Sequence, residues 1–322
     1  MSARRHRPPT WTAQTGRWPL PERAGEAEDQ QVTAVPTAHE ERVRSFDGTD
    51  LAVQMAGEGP LIVLANGLGG TRRAWGPFLA RFGNDHRVVS WDYRGLYRSG
   101  PPPAPDAVRL TDHCSDLAAV LDAAGGGPAV VIGWSMGVQV AVQFALDQPD
   151  RVRGLVLVSG APGDPLDGVL HSAGGHHVVP PLTHAIEWGA LPFGVALQGL
   201  VATGQAPTVL RALGVVAPSC DLRVFGELAH DFSRLDWRVY MRTMRALAAH
   251  DAWPRLAELR VPTLVVGGTR DAFLPQRTIE ATAAAIAGAE LLLLTGATHY
   301  LPVEFPAELA AETRRFLADR VE

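Results

Sequence analysis

The sequence predicts an α/β fold: a mostly parallel, eight-stranded sheet flanked by helices, with a helical cap inserted between two core strands. Three observations carry this prediction. Short, almost wholly apolar runs such as Leu61–Ala65 and Leu155–Val158 recur along the chain, as strands buried on both faces do. Amphipathic helical patterns separate most of these runs, and such alternation closes as a parallel sheet. The alternation then lapses from about residue 160 to 252, where helical patterns follow one another with no convincing strand.

Taken in order, the first 40 residues are polar, with Arg4-Arg5-His6-Arg7 at the start and acidic residues from Glu22 onward. They lack the apolar stretch of roughly 7 to 15 residues that a secretory signal needs. A disordered or loosely docked extension, and a cytoplasmic protein, are expected. Val43–Phe46 and Leu51–Met55, joined at Asp47-Gly48-Thr49, read as a hairpin. Leu61–Ala65 is the third strand, followed by a helix over Pro77–Phe82 and a strand over Arg87–Trp91. In the helix Leu110–Ala124, Leu117, Val120 and Leu121 share one face. The strand Pro128–Gly133 leads into a helix over Val138–Ala145. Leu155–Val158, Pro262–Gly267 and Ala289–Leu294 supply three more strands, and a helix over Pro306–Ala318 closes the chain. The core therefore spans 41–160 and 253–322. The cap spans 161–252, with helices at Leu182–Trp188, Val195–Val201, Thr208–Leu213 and Trp237–Ala249.

With 322 residues, 46% of them hydrophobic, the chain can bury one large core and carry an insertion. A formal net charge of −5, a pI near 6.1 and the absence of any basic stripe argue against a nucleic-acid partner. The longest uncharged stretch, Trp188–Leu210, is interrupted by Pro192 and Pro207 and is too polar for a membrane span. Cys114 and Cys220 have no histidine at ligand spacing, so two free, mostly buried thiols and no metal are expected. His171, His176 and His177 likewise lack a carboxylate or thiolate at ligand spacing and read as a polar loop. The expected partner is a small molecule, bound by a monomer or a homodimer.

The chemistry centres on Gly133-Trp134-Ser135-Met136-Gly137, placed where a strand turns into a helix. A serine between two glycines at such a turn is the nucleophile-elbow pattern, and glycine removes side chains that would collide there. A serine hydroxyl needs a base, and the base needs an orienting carboxylate. His299 follows the last strand and Asp271 the one before it, with Asp164 and Asp167 as fallback acids. An oxyanion needs two backbone N–H groups. Met136, just after the serine, and Leu68, in Asn66-Gly67-Leu68-Gly69-Gly70 after the third strand, are the candidates. All these positions fall at the carboxyl ends of strands, where parallel sheets place their sites. Asn66, Gly67, Trp134, Trp188, Phe193 and Leu197 are candidates to bind substrate, with core packing as the equal alternative for the apolar ones.

Together these residues resemble the α/β-hydrolase superfamily over about residues 42 to 320. Asp92-Tyr93-Arg94-Gly95 with Ser99 is similar to its Asp-x-Arg-Gly-x-Gly-x-Ser loop. Val261-Pro262-Thr263-Leu264 opens the acid strand, and His299 with Glu304 and Pro306 is similar to its closing His…Glu-x-Pro segment. Two positions depart: Asn66 stands where His is frequent, and Tyr97 where the loop has its second glycine. Serine at 135 separates the chain from members with an aspartate nucleophile. The resemblance implies a Ser135–Asp271–His299 triad that needs no cofactor. It implies an esterase for small or medium apolar acyl groups. A carbon–carbon bond hydrolase of the meta-cleavage product type, or a lactonase, are the enzymatic alternatives. A receptor for a small hydrophobic ligand is the non-enzymatic one.

Overall fold

The computed structural model describes residues 37–82, 85–163, 198–199 and 201–321. Eight strands form one sheet: β1 (His39–Arg44), β2 (Asp50–Ala56), β3 (Leu61–Ala65), β4 (Arg87–Trp91), β5 (Ala129–Trp134), β6 (Val152–Val158), β7 (Thr263–Gly268) and β8 (Glu290–Leu294). Their spatial order is β1-β2-β4-β3-β5-β6-β7-β8. β2 runs antiparallel to both neighbours, and every other pairing is parallel.

The central strands are covered on both faces, which is why β3, β5, β6 and β7 are almost wholly apolar. Val63, Ala65, Val131, Leu155, Leu157 and Val265 point into one core. Their alternating neighbours Ile62, Leu64, Val130, Ile132, Val156 and Val266 point into the other. Each such buried aliphatic side chain contributes on the order of 1.5 to 3 kcal/mol. The first core packs α2 (Leu110–Ala123) and α3 (Met136–Asp147) on the sheet, and the second packs α1 (Gly76–Phe82) and the C-terminal helix. β8, at the edge, is the least covered of the core strands after β1, with Leu291 exposed.

Between β6 and β7 the described residues form α4 (Ala206–Ala212), α5 (Leu222–Ser233) and α6 (Trp237–Ala248). Asp221 and Asp236 start the last two, each carboxylate accepting from two backbone N–H groups of the first turn. After β7 come α7 (Gln276–Ala285), α8 (Leu301–Glu304) and α9 (Pro306–Arg320).

Three expectations change. The first strand begins at His39, inside the stretch read as an extension, because β1 pairs along its whole length with β2. The fourth predicted cap helix keeps its place, whereas the helix expected at Thr208–Leu213 lies at Ala206–Ala212. α5 and α7 are additional. The expected helix Leu182–Trp188, with Trp188, Phe193, Leu197, Asp164, Asp167 and the three cap histidines, lies outside the described residues, as do residues 1–36; of the expected Val195–Val201, residues 198, 199 and 201 are described and helical. Cys114 and Cys220 are both free and buried. Among the described residues, no helix is long and apolar enough to cross a membrane.

Candidate active site

Ser135 leaves β5 and begins α3 with φ 55° and ψ −116°, a conformation few non-glycine residues adopt. The surroundings hold it there. Its N–H donates to the Val158 carbonyl at 2.9 Å, and its carbonyl accepts from Val138 N at 3.0 Å. A Cβ on Gly133 would lie 2.4 Å from the Gly137 carbonyl oxygen, and one on Gly137 would lie 2.0 Å from the Ala65 oxygen. Both glycines are therefore demanded by close backbone approach.

His299 Nε2 lies 2.9 Å from Ser135 Oγ, and its Nδ1 lies 2.8 Å from Asp271 Oδ2. The other carboxylate oxygen, Oδ1, accepts from Phe273 N at 2.8 Å and Leu274 N at 2.9 Å. These two backbone bonds aim Oδ2 at the imidazole. An ionised carboxylate only accepts, so Nδ1 carries the proton and the Nε2 lone pair faces the serine hydroxyl. The Asp271 side chain is 1% exposed and that of His299 is 15%.

Two contacts fix the histidine loop. Trp134 Nε1 donates to the His299 carbonyl at 2.8 Å. The buried Glu304 carboxylate accepts from Thr298 N at 2.8 Å, Thr298 Oγ1 at 2.6 Å and Ala217 N at 2.8 Å. Glu304 thus ties the residue before His299 to the segment between α4 and α5. The half-exposed Phe273 ring stands 5.2 Å from the His299 ring.

Gly67-Leu68-Gly69-Gly70 is a tight turn closed by Gly70 N donating to Gly67 O at 2.8 Å, with Gly69 at φ +79° in the third position. Glycine suits that φ. The closing bond does not engage the Leu68 N–H. The Met136 N–H belongs to the first turn of α3, where amides have no acceptor within the helix. A Cβ on Gly67 would meet Ser135 Cβ at 3.3 Å, so the turn lies directly against the serine.

The structure therefore brings Ser135, Asp271 and His299 together, with the Leu68 turn and Met136 beside them. Two residues expected to bind substrate are occupied elsewhere. The Asn66 side chain is buried beneath the turn: its amide donates to Ser90 Oγ and Trp91 O, and its Oδ1 accepts from Trp75 Nε1 at 2.9 Å. It holds strand ends together and presents no group to a ligand. Trp134 is buried behind the turn, where a Cβ on Gly70 would touch its ring at 2.8 Å, and its indole N–H is taken by His299. The signal available for both was position: each ends a central strand, where inward side chains are core. Phe232, Tyr240, Phe273 and the contacts of Tyr97 and Glu304 were not anticipated.

The sequence pattern of the Alpha/beta hydrolase family matches residues 62–312. The chain is similar to proteins named as the carbamate hydrolase RutD. The one from Variovorax paradoxus is 31% identical, covering 68% of this chain and 76% of its own length. The one from Azorhizobium caulinodans is 28% identical, covering 70% and 79%. Among solved structures it is similar to Est816, described as an N-acyl homoserine lactone degrading enzyme, with TM-score 0.68 and 25% identity over 86% of this chain and all of that one.

Proposed function

The chain belongs to the α/β-hydrolase family, and from that premise we propose that it is a serine hydrolase cleaving carboxylic esters of small to medium apolar acyl groups through an acyl-enzyme. The observation that carries this reading is the unbroken chain of hydrogen bonds from Asp271 through His299 to Ser135.

In the proposed mechanism His299 Nε2 takes the Ser135 proton as Oγ bonds to the ester carbonyl carbon. Asp271 stabilises the imidazolium so formed. The Leu68 and Met136 N–H groups hold the developing oxyanion. Collapse of the intermediate breaks the bond to the leaving alkoxide, which His299 protonates. Water then adds to the acyl-enzyme by the same sequence and releases the acid and Ser135. Apolar surface around this centre, from Phe273 beside His299 and from Phe232 and Tyr240 beside the oxyanion turn, suits an apolar acyl group. A lactone is the second reading, favoured by the similarity to Est816. It needs the same carbonyl chemistry with the leaving alkoxide kept on the acyl chain.

The test uses a panel of p-nitrophenyl acyl esters and of lactones. Ser135→Ala should lower turnover by roughly 10³-fold or more, and a fluorophosphonate probe should label the parent protein but not this variant. Full activity of Ser135→Ala would sink the proposal, and failure of the parent protein to label would favour a binding protein on the same fold.

A further inference from the structure

The loop from Asp92 to Gly100 reaches the oxyanion turn at both ends. Tyr93 Oη donates to the Asn66 carbonyl at 2.7 Å, just before the turn, and Tyr97 Oη donates to the Gly69 carbonyl within it. Tyr97 does so from a left-handed backbone, φ 52°, in the turn closed by Ser99 N donating to Leu96 O at 3.1 Å. A non-glycine residue held there calls for a reason. The loop motif that this stretch resembles has glycine at this position, which has no hydroxyl to donate, so the tether depends on the tyrosine itself.

The turn needs such a tether. Three of its four residues are glycine, the most freely rotating of residues. The aromatic residues of the inserted helices press on the same point: a Cβ on Gly69 would lie 2.4 Å from the Phe232 ring and 3.3 Å from Tyr240. Those rings, 5.4 Å apart at 84°, pack against Gly69 from the side of the inserted helices. Burial, with the Asp231 carboxylate next in effect, holds the Tyr97 phenol far above its ordinary ionisation range, so it remains a donor throughout the working range of pH.

We propose that Tyr97 is a positioning residue for the oxyanion hole: by anchoring the Gly69 carbonyl, with Tyr93 anchoring Asn66, it fixes the direction of the Leu68 N–H. Carbonyl bonds at either end hold the turn, so the donor is aimed before substrate arrives. This inference rests on the serine hydrolase reading given above.

The test is Tyr97→Phe, which removes one hydroxyl and keeps the ring. Its kcat on the best p-nitrophenyl ester should fall about tenfold, a fraction of the roughly 10²- to 10³-fold that loss of an oxyanion donor itself costs. KM should stay within twofold. Affinity for an alkyl boronic acid, whose serine adduct carries an oxyanion-like oxygen, should weaken by the same factor as kcat/KM, with thermal stability unchanged. Tyr97→Gly, which suits the left-handed backbone, should be as slow as Tyr97→Phe, and it supplies the same readout if Tyr97→Phe folds poorly. Wild-type kcat and boronate affinity in either variant would overturn the inference, as would a loss confined to KM. If Ser135→Ala is inactive while Tyr97→Phe matches the parent, this inference alone fails; if Ser135→Ala is active, the underlying reading fails.

Discussion

Asp271 is held at both oxygens, one by two backbone amides and one by the imidazole. Replacing it by asparagine keeps the size but offers an NH₂ group where an acceptor is needed. The imidazole then loses the partner that fixes its tautomer, and Nε2 no longer presents a lone pair to Ser135. Asp271→Asn should therefore lower ester turnover by about 10⁴-fold with little loss of stability; comparing turnover with the thermal unfolding midpoint checks this. Wild-type turnover would move the acid role elsewhere. That Ser135, Asp271 and His299 come together was legible in the sequence, because residue type and placement at strand ends both point to these three. Trp134 takes the core-packing alternative and Asn66 turns inward, a choice the sequence leaves open because a strand end does not reveal which side of the turn a side chain takes. The Glu304 contact to Ala217 was hidden because the two lie 87 residues apart in the chain.

The central strands were legible to within a few residues, since burial on both faces writes itself as an apolar run, whereas the exposed, polar β1 was placed four residues late. Helices were less so. α7 buries only Ile279 and Thr282 along an alanine-rich stretch, so it carries no apolar stripe to read. α5 does bury Val224, Phe225 and Leu228 behind its Asp221 cap, but Gly226 interrupts the pattern. What joins the elements was not legible at all. Arg94, in the loop after β4, is fully buried and binds Asp116 of α2 at 2.7 and 2.5 Å, Asp47 of the β1–β2 turn at 2.8 Å and the Ala107 carbonyl at 2.9 Å. Ser45 completes the cluster by donating to Asp116. Removing Asp116 leaves the buried guanidinium one carboxylate, Asp47, and takes the close acceptor from two of its nitrogens, Nε and Nη2. Asp116→Ala should therefore destabilise the protein by about 3 to 5 kcal/mol, read as a lower urea midpoint. A change under about 1 kcal/mol, the worth of a surface pair, would show the network to be solvated. The same loop carries Tyr93 and Tyr97, so in Asp116→Ala the oxyanion turn should loosen along with the fold.

At the scale of the whole molecule, alternation of strands and helices foretold a parallel sheet but not its order. The placement of β4 between β2 and β3 depends on pairings that no local stretch records. The same distance from sequence applies to how the fold responds to acid. His113 of α2 is fully buried, 5.1 Å from the Tyr93 ring. Burial first, and the nearby Arg94 charge second, push its pKa down to about 3. In the unfolded chain it titrates near 6.5, so between about pH 3 and 6.5 the unfolded state binds more protons than the folded one. Its contribution is thus fully present above about pH 6.5 and is lost as pH falls, at up to about 1.4 kcal/mol per pH unit. His113→Phe removes the proton-binding group and keeps an aromatic ring against Tyr93. Urea unfolding at pH 5, 6 and 8 should show the parent protein losing stability toward pH 5 more steeply than the variant, with the difference between them constant above about pH 7. Parallel curves across this range would mean that His113 takes up its proton in the folded protein.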